Sequence, residues 1–435
     1  MIVMKFGGSS VGDAARIRTV VDVVRKELAR KPVVVCSAHK GVTNLLFKLA
    51  EEALAGKTDA APVAAAHEKI QKELGVDSVV TRPLLQELDQ LLRGIAMIKE
   101  LTPRTMDYVA SFGERLSCRT IAAYFAKSGI PAGAHDAFDV GLVTDARYGE
   151  AQPLAEADAL LKAKISALKT LPIVTGYIGK TKSGDITTLG RNGSDYSATI
   201  VGAGIDAEEV QIWTDVDGVM TADPSVVPKA KMLEVMSFDE AGELAYYGGR
   251  VLHPSTLLPA VRKRIPVRVV NTFRPESKGT VILAEADGKG PKSIVYKENQ
   301  FVVSITSERM LMGHGFLARI FDVFARHRVV IDMVSTSEVN VSVTTDRRKH
   351  LDDAAAELRS FADVRIEEKK AIVCVVGHGM KETPGMAADV FGALRDAGVN
   401  IEMISQGASK INIACVIEDA DIKKAVFALH RKFFE

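Results

Sequence analysis

The chain of 435 residues carries 56 Lys and Arg against 55 Asp and Glu, and 47% of its residues are hydrophobic. This length allows two or three domains with sizeable cores, and the balanced charge excludes a strong field for nucleic acid or an anionic membrane surface. The four cysteines lack Cys-x-x-Cys spacing, which argues against a disulfide framework or a thiolate metal site. No leader pattern or membrane-length apolar run is present, so we expect a cytoplasmic protein.

The first predicted element is a short buried strand, followed by Lys5 and the turn Gly7-Gly8-Ser9-Ser10. Bare glycine N–H groups beside a lysine and two hydroxyls suit a phosphate group. A tight connection between a strand and the following amphipathic helix explains the glycines equally well. The turn matches neither GxGxxG nor GxxxxGK[ST], which disfavours a dinucleotide fingerprint and a Walker loop.

A second buried strand, residues 33–36, runs into a loop that contains Ser37, His39 and Thr43. Strand, helix and strand in this order predict a parallel pair, and open α/β sheets bind ligands at the carboxyl ends of such strands. We interpret His39 as an ordinary loop histidine.

One long helix is predicted from Asp107 to Lys127, and Glu114 lies within its mostly apolar sequence. The residues alone favour a surface position for Glu114, or a pairing with Arg115 or Arg119, over contact with a ligand.

A second glycine-rich stretch, Thr188 to Ala198, joins a strand to a helix. We expect Ser194 to cap this helix and Asp195 to lie in its first turn, so that helix N–H groups face the contents of the loop. Arg191 adds a guanidinium suited to a carboxylate or a phosphate. Together with Lys5, this loop suits phosphoryl transfer, which depends on positioning and charge neutralisation.

Strands alternate with helices up to a charged segment near residue 290, which predicts an α/β domain with a mainly parallel sheet over residues 1–290. Beyond it the sequence repeats at an offset of 70, so that Gly315 aligns with Gly385 and Asp332 with Glu402. Residues 291–370 and 371–435 are therefore predicted to be two copies of a ferredoxin-like βαββαβ module. Neither copy contains a nucleophile with a base, so binding suits them better than catalysis.

Five motifs follow one another along the chain: Lys5–Val11, Ser111–Ser117, Thr188–Ala198, Trp213–Gly218 and Arg250–Pro254. In sequence and order they closely resemble the aspartokinase family, and the tandem copies resemble its paired ACT regulatory domains. The resemblance spans nearly the whole chain and is to the monofunctional members. It implies an amino acid kinase fold and an ATP- and Mg²⁺-dependent transfer to the β-carboxylate of L-aspartate. The product, 4-phospho-L-aspartate, leads to lysine, threonine and methionine.

The resemblance also implies roles for individual residues. Lys5 and Asp195 are the implied catalytic residues. The implied aspartate-binding residues are Ser37, Thr43, Glu114, Arg191 and Ser194. The implied nucleotide-binding residues are Lys5, Gly7, Gly8, Ser9, Thr214, Asp215, Met220, Arg250 and Val251. No protein metal ligand is implied, and no general base is needed, because a β-carboxylate with a pKa of about 3.9 is already ionised.

An amino-acid effector is implied at the first copy. The residues concerned are Met310, Phe316, Leu317, Asp332, Ser335, Thr336, Ser337 and Glu338. Because Asp332 and Glu338 could neutralise a cationic side chain, we hypothesise feedback inhibition by lysine, with threonine as the alternative. By the same resemblance we expect at least a homodimer.

The chain departs from the family pattern at three positions. Asn192 stands where the family usually has a second glycine, Ser225 where relatives often have arginine, and Arg250 where many have lysine. Two other functions are consistent with parts of the sequence. One is another amino-acid kinase, acting on acetylglutamate or glutamate. The other is an amino-acid sensor without catalysis, which would have no need of Lys5, Arg191 and Asp195.

Overall fold

The computed structural model describes residues 1–249, 253–286, 288–311, 314–406 and 411–435. These residues form two compact units. The first contains the described residues of 1–219, 234–238 and 251–286, and the second those of 220–233, 239–250 and 287–435. The described residues of 220–233 and 239–250 thus pack with the second unit, although they precede the predicted domain boundary at residue 290.

The first unit is built from alternating strands and helices, as the sequence predicts. Its strands are β1 (Ile2–Phe6), β2 (Pro32–Cys36), β3 (Ala132–His135), β4 (Leu171–Thr175), β5 (Ile178–Lys180), β6 (Ile186–Thr188), β7 (Glu209–Thr214), β8 (Val235–Ser237), β9 (Val267–Asn271) and β10 (Thr280–Leu283). Its helices are α1 (Ala14–Glu27), α2 (Val42–Leu54), α3 (Ala61–Leu74), α4 (Arg82–Ile98), α5 (Pro103–Lys127), α6 (Ala157–Ser166), α7 (Gly193–Gly204) and α9 (Pro254–Lys263).

Eight of these strands form one sheet in the order β3-β4-β2-β1-β7-β9-β10-β8, in which only the β9–β10 pair is antiparallel. The mainly parallel sheet is therefore confirmed. The central strand β1 is buried along its whole length. Its Ile2, Met4 and Phe6 share a core with α1, while Val3 faces α7 at Gly202. Burial on both faces explains why β1 has no alternation of polar and apolar residues.

The second unit contains the repeat. Its strands are β11 (Ser293–Thr306), β12 (Val334–Thr336), β13 (Asn340–Thr345), β14 (Asp363–Val376), β15 (Met403–Ser405) and β16 (Asn412–Glu418). Its helices are α8 (Phe238–Tyr246), α10 (Phe316–Arg326), α11 (Leu351–Leu358), α12 (Met386–Asp396) and α13 (Ile422–Phe434). The strands form an antiparallel sheet in the order β12-β13-β11-β14-β16-β15.

The long strands β11 and β14 each serve both copies. Residues 301–306 of β11 pair with β13 of the first copy, whereas Ser293–Lys297 pairs with Val376–Ile372 of the second. The second copy therefore obtains its closing strand from a segment that precedes the first copy in the sequence. With that strand both copies have the ferredoxin-like arrangement, and the predicted fold class is confirmed. In the described part of the chain, no helix is long and apolar enough to cross a membrane.

Candidate active site

The candidate site lies where five parallel strands of the first sheet end together. Their last residues are Phe6, Cys36, Thr175, Thr214 and Asn271, which the register places at one edge. The loops after β1, β2 and β7 contain Gly7, Gly8, Ser9, Ser37 and Asp215 among the predicted site residues, so one sheet edge gathers residues that are distant in sequence.

Lys5 and Asp195 form a buried ion pair at this edge. Lys5 Nζ lies 2.6 Å from Asp195 Oδ1, and their side chains are about one-tenth exposed. Asp195 lies in the first turn of α7, as predicted. A methyl group added to Gly7 would lie 3.2 Å from Lys5 Nζ, so the ammonium group lies directly beside the glycine turn. A phosphate bound there would meet a lysine and a helix N-terminus.

The glycine turn is anchored to two strand ends. The Gly7 N–H donates to the Trp213 carbonyl oxygen over 3.4 Å, and the Ser10 and Thr272 hydroxyl oxygens lie 2.7 Å apart. A side chain at Gly8 would come within 3.1 Å of the Ala38 carbonyl oxygen. Glycine at this position therefore lets the first loop approach the loop after β2.

The loop after β2 is positioned by β1 and α5. The Ser37 N–H donates to the Phe6 carbonyl oxygen over 3.1 Å, and the Ser117 hydroxyl donates to the Ser37 carbonyl oxygen over 2.8 Å. On α5, a methyl group at Gly113 would lie 2.8 Å from Ala38 Cβ and 3.7 Å from Thr43 Oγ1. This close approach gathers predicted aspartate-binding residues from two segments.

Glu114 presents a buried carboxylate to this loop. Its Oε1 accepts the Ala38 N–H over 3.2 Å, while Oε2 has no hydrogen-bond partner among the described residues. Burial raises the pKa of Glu114 to about 8, against the opposing effects of the Ala38 N–H and the charge of Lys5. An unpartnered buried carboxylate is costly, so the position suits a cationic ligand group.

The interpretation of Glu114 as a surface residue or an arginine partner is wrong. Arg115 Nη1 instead lies 3.0 Å from Glu87 Oε1, and Arg119 Nη1 lies 2.8 Å from Asp136 Oδ1. Arg115 and Arg119 are thus paired with carboxylates other than Glu114, so the Glu114 side chain remains available to a ligand.

The expected cap at Ser194 is also wrong. Helix α7 begins at Gly193, and Asn192 is its N-cap residue in the left-handed conformation, with φ at 55°. Asparagine tolerates this conformation better than most residues, which explains how it replaces glycine here. Ser194 packs instead against Gly176 after β4, where a methyl group would lie 2.7 Å from Ser194 Oγ. Arg191 is exposed, and no ion pair involves it within the described residues.

The predicted nucleotide-binding residues are distributed over both units. Thr214 ends β7, and its hydroxyl donates to Asp215 Oδ1 over 3.2 Å. Met220 belongs to the second unit, where its carbonyl oxygen accepts from the Ser293 hydroxyl over 2.8 Å. Arg250 and Val251 lie outside the described residues.

The predicted effector residues fall on three segments of the first copy. Met310 ends a short 3₁₀ turn, Phe316 and Leu317 begin α10, and the others lie on β12 or beside it. Asp332 is engaged within the protein, because its Oδ2 lies 2.8 Å from Lys297 Nζ.

Two features of the site were missed by sequence reasoning. Tyr177, in the left-handed region at φ 67°, packs its ring against Gly193, and its N–H donates to the Ser197 hydroxyl over 2.8 Å. Its pKa is raised to about 12 by burial, and the Glu114 carboxylate adds to the shift. An aromatic residue directly after a glycine at a strand end was the only signal in the sequence.

The second missed feature is a buried histidine pair. His39 is not an ordinary loop residue, because its Nδ1 lies 2.6 Å from the Val11 carbonyl oxygen and its ring lies 4.8 Å from that of His67. Both rings are buried. The Val11 contact joins the loop after β2 to the glycine turn.

Comparison with protein families identifies the class of both parts of the chain. Residues 1–271 match the amino acid kinase family, and residues 303–360 and 373–433 match the ACT domain. The sheet edge with its lysine, glycine turn and helix N-terminus thus belongs to an amino acid kinase domain that is followed by paired ACT domains.

Individual relatives narrow this class. Chloroplastic aspartokinase 2 of Arabidopsis thaliana is 41% identical over 458 residues, which cover 100% of this chain and 84% of that protein. Two E. coli aspartokinase III structures, each 32% identical, align with 100% of both chains. The complex with aspartate and ADP has a TM-score of 0.82, and the complex with lysine and aspartate has 0.79. The chain belongs to the aspartokinase family and is an aspartate kinase.

Proposed function

We propose that the protein transfers the γ-phosphoryl group of ATP to the β-carboxylate of L-aspartate, forming 4-phospho-L-aspartate. The observation that carries this proposal is the buried Glu114 carboxylate, whose Oε2 has no partner among the described residues. The α-ammonium group of the substrate would supply the positive charge that this buried carboxylate lacks as a partner. The relative from E. coli was solved with aspartate and ADP, which supports the same ligands here.

In this proposal Lys5 neutralises charge on the transferring phosphoryl group. Asp195 holds the ammonium group of Lys5 beside the glycine turn. The exposed Arg191 pairs with a substrate carboxylate through its planar guanidinium group. The remaining substrate residues are Ser37, Thr43 and Ser194, and the remaining nucleotide residues are Gly7, Gly8, Ser9, Thr214, Asp215, Met220, Arg250 and Val251. The attacking carboxylate is already ionised, so the chain needs no general base.

Mg²⁺ is expected to enter with ATP and to neutralise charge on its phosphates. A nucleotide-bound Mg²⁺ ion takes most of its ligands from phosphate oxygens and water, with one or two protein carboxylates. Asp195 fits this requirement, because it is a carboxylate at the sheet edge beside Lys5.

The same proposal assigns residues 1–290 to catalysis, and residues 291–370 and 371–435 to regulation in at least a homodimer. Feedback inhibition by lysine, with threonine as the alternative, would place the enzyme at the head of the lysine, threonine and methionine branch. The E. coli relative solved with lysine supports this choice. Isothermal titration with each amino acid tests it, and saturable heat with threonine but none with lysine would contradict the first choice.

Phosphoryl transfer is tested by incubating the protein with Mg-ATP, L-aspartate and hydroxylamine, which traps an acyl phosphate as a hydroxamate. We expect product with aspartate and none with glutamate or acetylglutamate. Product with glutamate alone would indicate another amino-acid kinase. No product with any of the three would favour a sensor without catalysis.

A further inference from the structure

Helix α5 carries two buried carboxylates on one side. Asp107 and Glu114 are separated by two helical turns, or about 10 Å along the helix axis. Both residues are almost completely buried. Positions two turns apart lie on the same face of a helix, so the two carboxylates follow one line of its surface. Glu114 contacts the loop after β2, whereas Asp107 contacts two other segments.

The Asp107 carboxylate joins α5 to the end of β6 and to the loop that contains Gly149. Its Oδ2 accepts the Thr188 N–H over 2.9 Å, and its Oδ1 accepts the Thr188 hydroxyl over 2.8 Å. The same Oδ2 accepts the Gly149 N–H over 2.9 Å. Removal of this carboxylate would therefore deprive three donors of their partner, two of them backbone N–H groups.

Both of these segments support the loop that carries Arg191. The Thr188 carbonyl oxygen, three residues before Arg191, accepts the Ala151 N–H over 2.9 Å. A methyl group at Gly190 would lie 3.0 Å from the Gly149 carbonyl oxygen, and Gly190 adopts a φ of 78° that favours glycine. The backbone around Gly149 thus packs directly against the turn before Arg191.

Arg191 and Glu114 are the groups assigned above to opposite charges of the substrate. The Arg191 side chain is exposed and has no ion pair with a described residue, so the loop backbone determines where its guanidinium group starts. The Asp107 hydrogen bonds tie that backbone to the helix that carries Glu114. One helix therefore controls the positions of both binding groups.

We propose that Asp107 is a positioning residue, which sets the distance between Arg191 and Glu114 and so fits the site to the length of aspartate. This proposal rests on the proposed phosphoryl transfer to aspartate. The role requires hydrogen-bond acceptors and not a negative charge. An asparagine could fill it, because its amide oxygen accepts both N–H groups while its NH₂ group donates to the Thr188 hydroxyl oxygen.

The test is steady-state kinetics in the hydroxamate assay, with separate KM values for aspartate and ATP. Asp107→Ala should raise the KM for aspartate at least about tenfold and leave the KM for ATP within about twofold, because Arg191 loses its position. Asp107→Asn should keep the KM for aspartate within about threefold of the unaltered value. Asp136→Ala is the matched control. This buried carboxylate also anchors α5, through Arg115 and Arg119, and its loss should change neither KM.

A double-variant cycle separates positioning from a general loss of structure. If Asp107 acts through Arg191, Asp107→Ala should lower kcat/KM for aspartate less than about twofold once Arg191→Ala is already present. Independent structural damage would instead multiply the two losses. Thermal melts establish that each variant is folded.

Three outcomes would overturn the positioning role. They are an unchanged KM for aspartate in folded Asp107→Ala, an equal rise in Asp107→Asn, and fully multiplied losses in the double variant. If Asp107→Ala does not fold, Thr188→Val replaces it. That variant removes only the hydroxyl donor and should raise the KM for aspartate about threefold, and an unchanged value would also overturn the role. Failure of the proposed function would appear separately, as no hydroxamate from aspartate with the unaltered protein.

Discussion

Lys5 Nζ and Asp195 Oδ1, 2.6 Å apart, connect the end of the central strand to the first turn of α7. The pair holds the lysine beside Gly7 before any ligand arrives. Such preorganisation places the positive charge where phosphoryl charge develops, so little rearrangement is required at the moment of transfer.

Replacement of this lysine is therefore expected to abolish turnover. Lys5→Ala should lower kcat at least about 100-fold, because one preorganised charge at the reacting group is lost. The hydroxamate assay measures the loss, and titration with L-lysine should show intact effector binding. The exposed Lys26→Ala variant on α1 should keep normal turnover. Normal activity in Lys5→Ala would contradict the proposed role.

Glu114→Gln tests the ammonium-binding carboxylate. We expect the KM for aspartate to rise about 30-fold, the equivalent of about 2 kcal/mol for a lost charge-assisted bond. An unchanged KM for aspartate, with the KM for ATP as the internal control, would remove Glu114 from the substrate site.

The same variant should alter the pH dependence of stability. The folded-state pKa of Glu114, about 8, lies above its unfolded value, so the folded protein binds this proton more tightly. Its stabilising effect is complete below the unfolded pKa and is lost as pH rises through about 8. Without ligands, Glu114→Gln should melt at a higher temperature than the unaltered protein at pH 9, with a smaller difference at pH 5.

The buried histidine pair predicts loss of stability in acid. Burial lowers the pKa of His39 to about 4, against the opposing Val11 contact, and burial together with the neighbouring His39 lowers the pKa of His67 well below its usual value. Stability is then complete above the unfolded pKa of about 6.5 and falls as pH decreases from there towards 4. Thermal melts at pH 7.5 and 5 should show this loss, and His67→Phe should reduce it. An equal loss in the variant would contradict the assignment.

Tyr246 offers a test of how the effector signal leaves the first copy. Its hydroxyl donates to the Asp332 carbonyl oxygen over 3.1 Å, and its helix α8 directly follows β8, a strand of the first sheet. Tyr246→Phe should weaken inhibition by L-lysine severalfold and leave turnover without effector unchanged. Inhibition curves measure the effect, with Tyr124→Phe as the control. An unaltered curve would exclude this contact from signalling.

Local sequence patterns predicted the parts of the structure that depend on neighbouring residues. The glycine turn after β1, the first-turn position of Asp195 and the repeat all produce short-range signals. The partners of Arg115 were not predictable, because Glu87 and Asp136 lie on other elements and meet it only through packing. The partners of Lys297 could not be predicted for the same reason, because Asp332 and Asp346 lie far from it in the sequence.

The wrong prediction of the N-cap of α7 has a different cause. Serine and asparagine are about equally favourable N-cap residues, so local propensity could not decide between Ser194 and Asn192. The close approach of Gly176 instead drew Ser194 into the helix and left Asn192 at the turn. A contact between distant segments thus decided a choice that local propensity left open.

The closing strand Ser293–Lys297 gives the regulatory region an unusual order of assembly. Since its partner residues follow the whole first copy, the first copy is in effect an insertion within the second. During synthesis, this strand must wait for β14 to emerge before it can pair. A fragment that begins at residue 371 would expose an unpaired edge of β14, so the smallest separable regulatory fragment includes both copies and the strand that precedes them.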